Sequence, residues 1–231
     1  MTPPSSQPLP AREAYPLWAA GYDVENAVTL LDCLAVSELT PPVAHRRLLD
    51  AGCGTGRRLA ALSAGMPALS VGVDLARDML LAGRARAPHL LRLVQGDIRG
   101  LPLADAAVDV IWCRLALGHV PDLPQAYQEF RRVAAAGAEL IVTDFHPEAL
   151  RAGHRRTFRD PRGAVREIES HPYTPEGHAA AARAAGFAPR DVREYRVGPE
   201  VEALYEAAGH RARYARDKGL PLVFGMACTV G

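Results

Sequence analysis

Short apolar runs alternate with longer polar or amphipathic segments through the middle of this chain. The runs have the lengths of buried strands, and each is followed by enough residues for a helix or a loop. They cover residues 48–51, 70–73, 91–95, 108–113 and 139–145. Such alternation is typical of a parallel sheet with helices on its faces. The pattern therefore predicts an α/β fold.

The N-terminal part of the chain does not follow this alternation. Residues 1–10 contain four prolines and predict a mobile leader. Residues 11–42 begin with three aromatic residues, continue as an apolar stretch and stop at Pro41 and Pro42, which break helices. We predict one or two helices in this part.

The C-terminal part returns to regular structure after an irregular stretch. Residues 146–173 hold six arginines but little apolar periodicity, and they predict an insertion over the top of the sheet. Thr174 is suited to cap a helix that begins at Pro175. The remaining predicted elements are a strand, a helix and a strand, over 189–197, 200–218 and 220–230.

Composition and charge narrow the class of protein. The 231 residues are 48% hydrophobic and 23% charged, which suits one globular domain with an appendage. The 27 basic and 26 acidic residues nearly balance, so no nucleic acid partner is expected. The sequence has no apolar run of about 18 residues, so no membrane span is expected. Four scattered cysteines without a CxxC pair predict neither disulfides nor a metal site, and they suit a reducing cytoplasm.

The segment LLDAGCGTG at residues 48–56 is the most informative one. It predicts a strand that enters a glycine-rich turn, where glycine allows unusual backbone angles and the close approach of a ligand. Asp74 follows the next predicted strand, 22 residues after Gly52, the separation expected of an acid that binds ribose hydroxyls. Asp97 ends the third predicted strand and so lies on the same edge. Open parallel sheets bind their ligands along this edge.

The spacing of the glycines argues against two common nucleotide sites. A dinucleotide fingerprint has its third glycine where this chain has Arg57. The GxxxxGK[ST] motif of a phosphate-binding loop does not occur. Together with Asp50 just before the turn, this spacing disfavours a nicotinamide-dependent oxidoreductase.

Taken together, the motifs resemble those of the class I S-adenosylmethionine-dependent methyltransferases. The resemblance is strongest to the small-molecule branch that includes the ubiquinone/menaquinone and malonyl-carrier-protein methyltransferases. The matching segments occur in family order: LLDAGCGTG (48–56), VGVDLARDML (71–80), VQGDIRGLPLADAAVDVIWC (94–113), LGHVPDLPQAYQEFRRV (117–133) and ELIVTDF (139–145). Residues 134–137 depart from the family, because they read AAAG where a Pro-Gly-Gly turn is usual.

The resemblance implies a Rossmann-like, doubly wound seven-stranded sheet whose last strand is antiparallel. It also implies three parts of the chain: a leader (1–10), an N-terminal helical cap (11–42) and a methyltransferase domain (43–231). The insertion at 146–173 would form a lid on that domain.

The resemblance further implies S-adenosyl-L-methionine as cofactor. In such enzymes the glycine turn and the acid before it meet the methionine part, the acid after the second strand binds the ribose, and the following residues hold the adenine. The positions of this chain that match are Asp50, Gly52, Cys53, Gly54, Gly56, Asp74, Leu75, Met79, Asp97, Ile98 and Arg114.

The candidate catalytic residues follow the fourth and fifth predicted strands. An alcohol or phenol acceptor must lose a proton, and histidine suits that task near neutral pH. His119 and Asp144 are expected at one mouth of the sheet. The resemblance to O-methyltransferases with a histidine in this loop implies a base at His119, with His146 as the second candidate. The structural alternative is that His119 packs under its loop and Asp144 accepts its hydrogen bond.

Other polar residues have more than one interpretation. The insertion's arginines form either a lid that recognises a carboxylate or phosphate, or a solvated loop with surface ion pairs. The aromatic residues near the N-terminus, Tyr15, Trp18 and Tyr22, either fold over the cofactor or form an ordinary cluster. The remaining histidines are expected in loops or at the periphery: His45, His89, His154, His171, His178 and His210.

The sequence therefore predicts a methyltransferase that acts on oxygen or nitrogen of a small molecule, without a metal, a nucleic acid or a membrane. The alternative is a catalytically inactive S-adenosylmethionine-binding partner or sensor protein. The acceptor and the oligomeric state stay open at this point.

Overall fold

The structure, a computed structural model, describes residues 7–62, 66–88 and 92–231. Within these ranges the strands are β1 Arg47–Ala51, β2 Leu69–Asp74, β3 Leu93–Gln95, β4 Val108–Arg114, β5 Ala134–Phe145, β6 Thr157–Arg159, β7 Val165–Glu167, β8 Phe187–Arg196 and β9 Pro221–Val230. The α-helices are α1 Ala11–Trp18, α2 Ala27–Leu39, α3 Arg57–Ala61, α4 Arg77–Arg86, α5 Leu123–Val133, α6 Pro147–Arg151, α7 Pro175–Ala184, α8 Glu202–Ala207 and α9 Arg211–Asp217. None of these helices is long and apolar enough to cross a membrane.

Seven strands form one sheet in the order β3-β2-β1-β4-β5-β9-β8. Strands β1 to β5 are parallel, while β9 runs antiparallel to both of its neighbours. The predicted seven-stranded sheet with an antiparallel last strand is confirmed. The strand order reverses between β1 and β4, and a crevice forms at the carboxyl ends of strands at such a point.

Side chains of the central strands alternate between two apolar layers. In β4, Ile111 and Cys113 belong to one layer, and Val110 and Trp112 to the other. The first layer also contains residues of α5 and α7, and the second contains residues of α2. Because both faces are covered, the strands are almost continuously apolar, which is the pattern from which they were predicted.

The predicted helix over 200–218 is two helices in the structure. α8 ends at Ala207 and α9 begins at Arg211. Gly209 between them has a φ of 71°, in the left-handed region, which ends a right-handed helix. The prediction of one continuous helix was therefore wrong.

The N-terminal segment is fixed to the insertion. The N–H of Leu9 donates to the carbonyl oxygen of Glu167 at 2.9 Å, and the N–H of Glu169 donates to that of Leu9 at 2.8 Å. Leu9 lies in the predicted leader over 1–10, whose mobility stays a prediction, and residues 1–6 lie outside the described residues. The insertion itself contains α6 and a hairpin of β6 and β7, which the sequence did not predict. Leu91 and His89 also lie outside the described residues.

Gly83 in α4 supports the glycine turn from behind. A Cβ atom at Gly83 would stand 1.9 Å from the carbonyl oxygen of Thr55, a backbone atom that cannot rotate away. We expect Gly83→Ala to lower the free energy of unfolding by about 1–3 kcal/mol, although alanine normally stabilises a helix by about 1 kcal/mol over glycine. Urea unfolding of the variant measures this change.

Gly177→Ala in α7 is the matched control for this substitution. Its Cβ would meet only the hydroxyl of Thr174, at an ordinary 3.5 Å. We expect it to be neutral or slightly stabilising. Equal stabilities of the two variants would contradict the close contact at Gly83.

Candidate active site

The turn between β1 and α3 holds three glycines in the left-handed region. Their φ values are 80° at Gly52, 58° at Gly54 and 71° at Gly56. The N–H of Gly52 donates to the carbonyl oxygen of Val73 on β2 at 2.7 Å. A Cβ atom at Gly52 would lie 2.6 Å from the Cβ of Ala116. Both backbone angle and space therefore require glycine at this position.

Asp74 stands directly beside this turn. Its Oδ2 accepts from the N–H of Gly54 at 2.7 Å, and its Oδ1 accepts from the N–H of Ala76 at 2.8 Å, just before α4. One oxygen thus holds the glycine turn, and the other holds the backbone just before α4. Burial raises the pKa of Asp74 above its ordinary value.

A cavity of about 110 Å³, the first cavity, lies at the carboxyl edge of the sheet. Seven of the residues that the resemblance assigns to the cofactor line it: Gly52, Gly54, Asp74, Leu75, Asp97, Ile98 and Arg114. Asp97 is paired with Arg99 at 2.6 Å, and the hydrogen bonds from Arg99 lower the pKa of Asp97.

The other four assigned residues lie behind the lining of the first cavity. Gly56 precedes α3, and Cys53 packs against Gly72. Met79 is fully buried in a cluster with the N-terminal aromatic residues. Asp50 is only 2% exposed, and its Oδ1 has no hydrogen-bond partner among the described residues.

A buried ion pair lies near Asp50. Nη2 of Arg114 contacts Oδ2 of Asp32 at 2.5 Å, and the hydroxyl of Thr143 donates to Oδ1 of Asp32 at 2.6 Å. Asp32 is a buried residue of α2, so the pair fixes this helix to the ends of β4 and β5. Burial raises the pKa of Asp50 to about 7, although the charge of Arg114 opposes this shift. α2 also contains the exposed acid Glu38, so nothing in the sequence singled out Asp32 as the buried charge.

Aromatic residues of the N-terminal segment cover the glycine turn. A Cβ at Gly54 would lie 2.9 Å from a ring carbon of Tyr22. Trp18 packs edge-on against Tyr22, at 4.9 Å between ring centroids, and stacks on Phe158 of β6 at 5.4 Å. We call Tyr15, Trp18, Tyr22 and Phe158 the roof. It joins the N-terminal segment and the insertion above the carboxyl edge.

A second cavity, of about 340 Å³, lies under the roof beside the first. Four residues line both cavities, and we call them the junction: Tyr15, Tyr22, Leu115 and His119. Leu115 has a φ of 52°, a left-handed conformation that is rare for leucine and often marks a functional position. Two histidines expected in loops or at the periphery, His154 and His210, also line the second cavity.

His119 lies at the junction, but its hydrogen bonds are not those of a base. Its Nδ1–H donates to the carbonyl oxygen of Glu169 at 2.8 Å, and its Nε2 accepts from the guanidinium of Arg156 at 2.8 Å. The lone pair that would take a proton is therefore occupied. Burial, followed by the charge of Arg156, lowers the pKa of His119 to about 3. A base near neutral pH needs a higher pKa, so this geometry opposes the predicted role.

Arg156 connects His119 to Asp144. Its Nη2 contacts Oδ1 of Asp144 at 2.5 Å, and its Nη1 also donates to the carbonyl oxygen of Leu115 at 2.6 Å. Burial alone would raise the pKa of Asp144, but the charge of Arg156 and the nearby Nε2 of His178, 3.6 Å from Oδ2, hold it below its ordinary value. His119 and Asp144 thus lie close to each other, and Arg156 lies between them. Nothing in the sequence separates Arg156 from the other five arginines of the insertion.

Two further histidines differ from their predictions. His146, the second candidate base, caps α6, where its Nδ1 accepts from the N–H of Glu148 at 3.2 Å. It is not among the described residues that line either cavity. His178, expected at the periphery, is fully buried, with its Nδ1 2.9 Å from the hydroxyl of Tyr127.

Comparison with known proteins identifies the family. Residues 49–142 match a family model described as a methyltransferase domain. A malonyl-[acyl-carrier protein] O-methyltransferase of Dechloromonas aromatica (strain RCB) is 32% identical over 79% of this chain and 67% of its own length. A demethylmenaquinone methyltransferase of Roseiflexus sp. (strain RS-1) is 31% identical over 89% of this chain and 95% of its own length.

A solved structure shows the same fold. It is that of an S-adenosylmethionine dependent methyltransferase from Mesorhizobium loti, with a TM-score of 0.68 and 20% identity over 86% of this chain and 97% of that one.

The chain therefore belongs to the S-adenosylmethionine-dependent methyltransferases. It is an enzyme that uses S-adenosyl-L-methionine, as the resemblance implied. The alternative of an inactive partner or sensor protein gains no support from these comparisons.

The orphaned carboxylate of Asp50 makes stability depend on pH. Its pKa of about 7 lies above the ordinary value of 3.8, so the folded protein retains a proton that the unfolded chain releases at lower pH. The free energy of unfolding therefore decreases as the pH rises from about 4 to 7. Above this window, the full cost of ionising the buried Asp50 has been reached. We expect Asp50→Asn to raise the free energy of unfolding by up to about 4 kcal/mol near pH 8 and to change it little near pH 4.

Thermal unfolding at the two pH values measures this effect. Asp78→Asn, at an exposed position of α4, is the control and should leave the pH dependence unchanged. A gain from Asp50→Asn that is equal at both pH values would contradict the raised pKa of Asp50.

Proposed function

We propose that the enzyme methylates a small molecule held in the second cavity, with S-adenosyl-L-methionine in the first. The observation that supports this most is the junction, where two separate cavities share one wall of four residues. A methyl group that passes from one ligand to another needs such a meeting point, because the two reacting atoms must be held close together and in line.

The residues of the first cavity fit the cofactor. Gly52 and Gly54 line this cavity, and the unpartnered Oδ1 of the nearby Asp50 suits a positively charged group such as the ammonium of the methionine part. Asp74 presents a carboxylate beside the turn, as ribose hydroxyls require. The bound cofactor supplies a methyl group on a positively charged sulfur.

The residues around the cavities act by holding and shielding the two ligands. Tyr22 of the roof covers Gly54 of the glycine turn, and apolar residues such as Phe145 and Leu222 line the second cavity. Alignment of two bound groups contributes roughly 7–11 kcal/mol in model reactions, so this chain needs no covalent step of its own.

The relatives define the range of acceptors to consider. One is named for O-methylation of malonyl-[acyl-carrier protein], and the other for demethylmenaquinone. Both names support a metabolite as the acceptor of this chain. All four cysteines are free thiols, which supports the cytoplasm as its compartment.

Titration with S-adenosylhomocysteine, followed by calorimetry, tests the cofactor assignment. We expect binding near micromolar affinity, and a loss of about 10-fold to 150-fold in Asp74→Ala, because a hydrogen bond to a charged group contributes roughly 1.5–3 kcal/mol. Asp78→Ala removes the same charge from an exposed position four residues away and serves as the control. Equal affinities of the two variants would refute the role of Asp74, and no binding by the unmodified enzyme would refute the proposal.

A further inference from the structure

Asp50 is a buried acid without a counter-ion of its own. Its side chain is only 2% exposed, and its Oδ1 accepts no hydrogen bond from the described residues. It lies on β1, just before Gly52, which lines the first cavity. A buried carboxylate that lacks a partner is costly to keep charged. It therefore either holds a proton or requires a positive charge from a ligand.

The cations that act on Asp50 are already paired with other acids. Arg114 lines the first cavity, but its Nη2 contacts Oδ2 of Asp32 at 2.5 Å. Nη2 of Arg58 on α3 contacts Oε1 of Glu25 at 2.9 Å. Because each of these pairs is neutral as a whole, neither arginine fully compensates a charge on Asp50.

The other titratable groups that face Asp50 supply no positive charge. Asp74 of β2 is an acid whose two oxygens accept from backbone N–H groups. Burial raises the pKa of the thiols of Cys53 in the glycine turn and Cys113 of β4 well above the ordinary value, so both thiols are neutral. The surroundings of Asp50 thus contain more acids than cations. A proton on Asp50 relieves this imbalance, in agreement with its pKa of about 7.

Asp32 is the acid that neutralises Arg114. It lies on α2, outside the sheet, and the hydroxyl of Thr143 donates to its Oδ1 at 2.6 Å. It is not among the described residues that line the two cavities. Without the charge of Asp32, the positive charge of Arg114 would act on Asp50 uncompensated, and Asp50 would ionise without a ligand.

We infer that Asp32 prepares Asp50 to exchange a proton for the ammonium group of the cofactor, an inference that rests on the proposed function. By neutralising Arg114, Asp32 keeps the proton on Asp50 until a ligand binds. The O–H bond of the Asp50 carboxyl group then breaks, its electron pair stays on the carboxylate, and the proton goes to solvent. The ammonium group keeps all its protons. Asp32 is therefore a positioning residue, because it acts on the cofactor through Arg114 and Asp50.

This exchange makes the affinity for the cofactor depend on pH. The ammonium group binds beside the ionised form of Asp50, whose share of the molecules rises with pH up to the pKa of about 7. The affinity should therefore increase by up to about tenfold per pH unit below pH 7 and level off above it. An α-amino group begins to lose its own proton near pH 8, so pH 6 is suitable for the measurement.

Calorimetry of S-adenosylhomocysteine binding in phosphate and imidazole buffers at pH 6 counts the protons released, because the two buffers differ in ionisation enthalpy. We expect about 0.9 proton per ligand, since a group with a pKa of about 7 is about 90% protonated one pH unit lower. 5′-Methylthioadenosine has the same nucleoside and a thioether but lacks the amino acid. It should release less than half as much, and the difference between the two ligands removes any contribution of Asp74.

Charge variants test the role of Asp32. Asp32→Asn should lower the release by more than half, because Arg114 then ionises Asp50 in advance. Combined with Arg114→Gln, which removes the opposing charge, it should restore the release, as a merely structural role of Asp32 would not. Asp50→Asn should abolish the release. Glu38→Gln, at an exposed acid of the same helix, is the control and should leave the release unchanged.

Arg114→Gln alone tests the same pair from the other side if Asp32→Asn does not fold. At pH 7 the original enzyme should release about half a proton, because its pKa of about 7 equals the pH. Arg114→Gln should release more than this, because Asp32 and Asp50 then act on each other without a cation.

Four results would overturn the inference while S-adenosylhomocysteine still binds. They are equal proton release with the two ligands, unchanged release in Asp32→Asn or Asp50→Asn, no return of the release in the double variant, and no increase at pH 7 in Arg114→Gln. Absence of S-adenosylhomocysteine binding would instead refute the proposed function, and the inference with it.

Discussion

Two buried ion pairs at the carboxyl ends of neighbouring strands hold the functional edge of this protein together. Arg114 ends β4 and pairs with Asp32 of α2, while Asp144 near the end of β5 pairs with Arg156 of the insertion. A charge removed from water requires a partner, and the loss of one partner costs roughly 3–5 kcal/mol. The N-terminal helices and the insertion, which do not belong to the sheet, are therefore fixed to adjacent strand ends, and the two cavities form beneath them.

The second of these pairs also sets the chemistry of the junction. Arg156 contacts Asp144 on one side and His119 on the other, so it is at once the counter-ion of a buried acid and the donor that occupies the histidine. A histidine beside a cation loses basicity, because protonation would place two positive charges together. The same contact that fixes the insertion thus lowers the basicity of the histidine that this loop would suggest as a base.

The sheet and the two cavities were not equally predictable from the sequence of this chain. The parallel strands, the switch point and the glycine turn form the edge at which open parallel sheets bind their ligands. The roof and the second cavity are built from the N-terminal segment, the insertion and the residues around α8 and α9, where regular strand patterns give no guidance. The net charge of the whole chain is close to zero, so it gives no indication that the charged residues lining the second cavity are arginines.

The sequence by itself determined the fold class, and it predicted which edge of the sheet holds the cofactor. These features are local, so the order of residues predicts them. They are the periodicity of the strands, the left-handed conformation of Gly52 and Gly54, and an acid at the end of the next strand. The tertiary structure alone decided the state of His119, because its proton affinity depends on an arginine 37 residues away. It also decided the partner of Arg114, which lies 82 residues earlier in the chain. Electrostatic interactions act through space, so folding has to bring such groups together before their chemistry is defined.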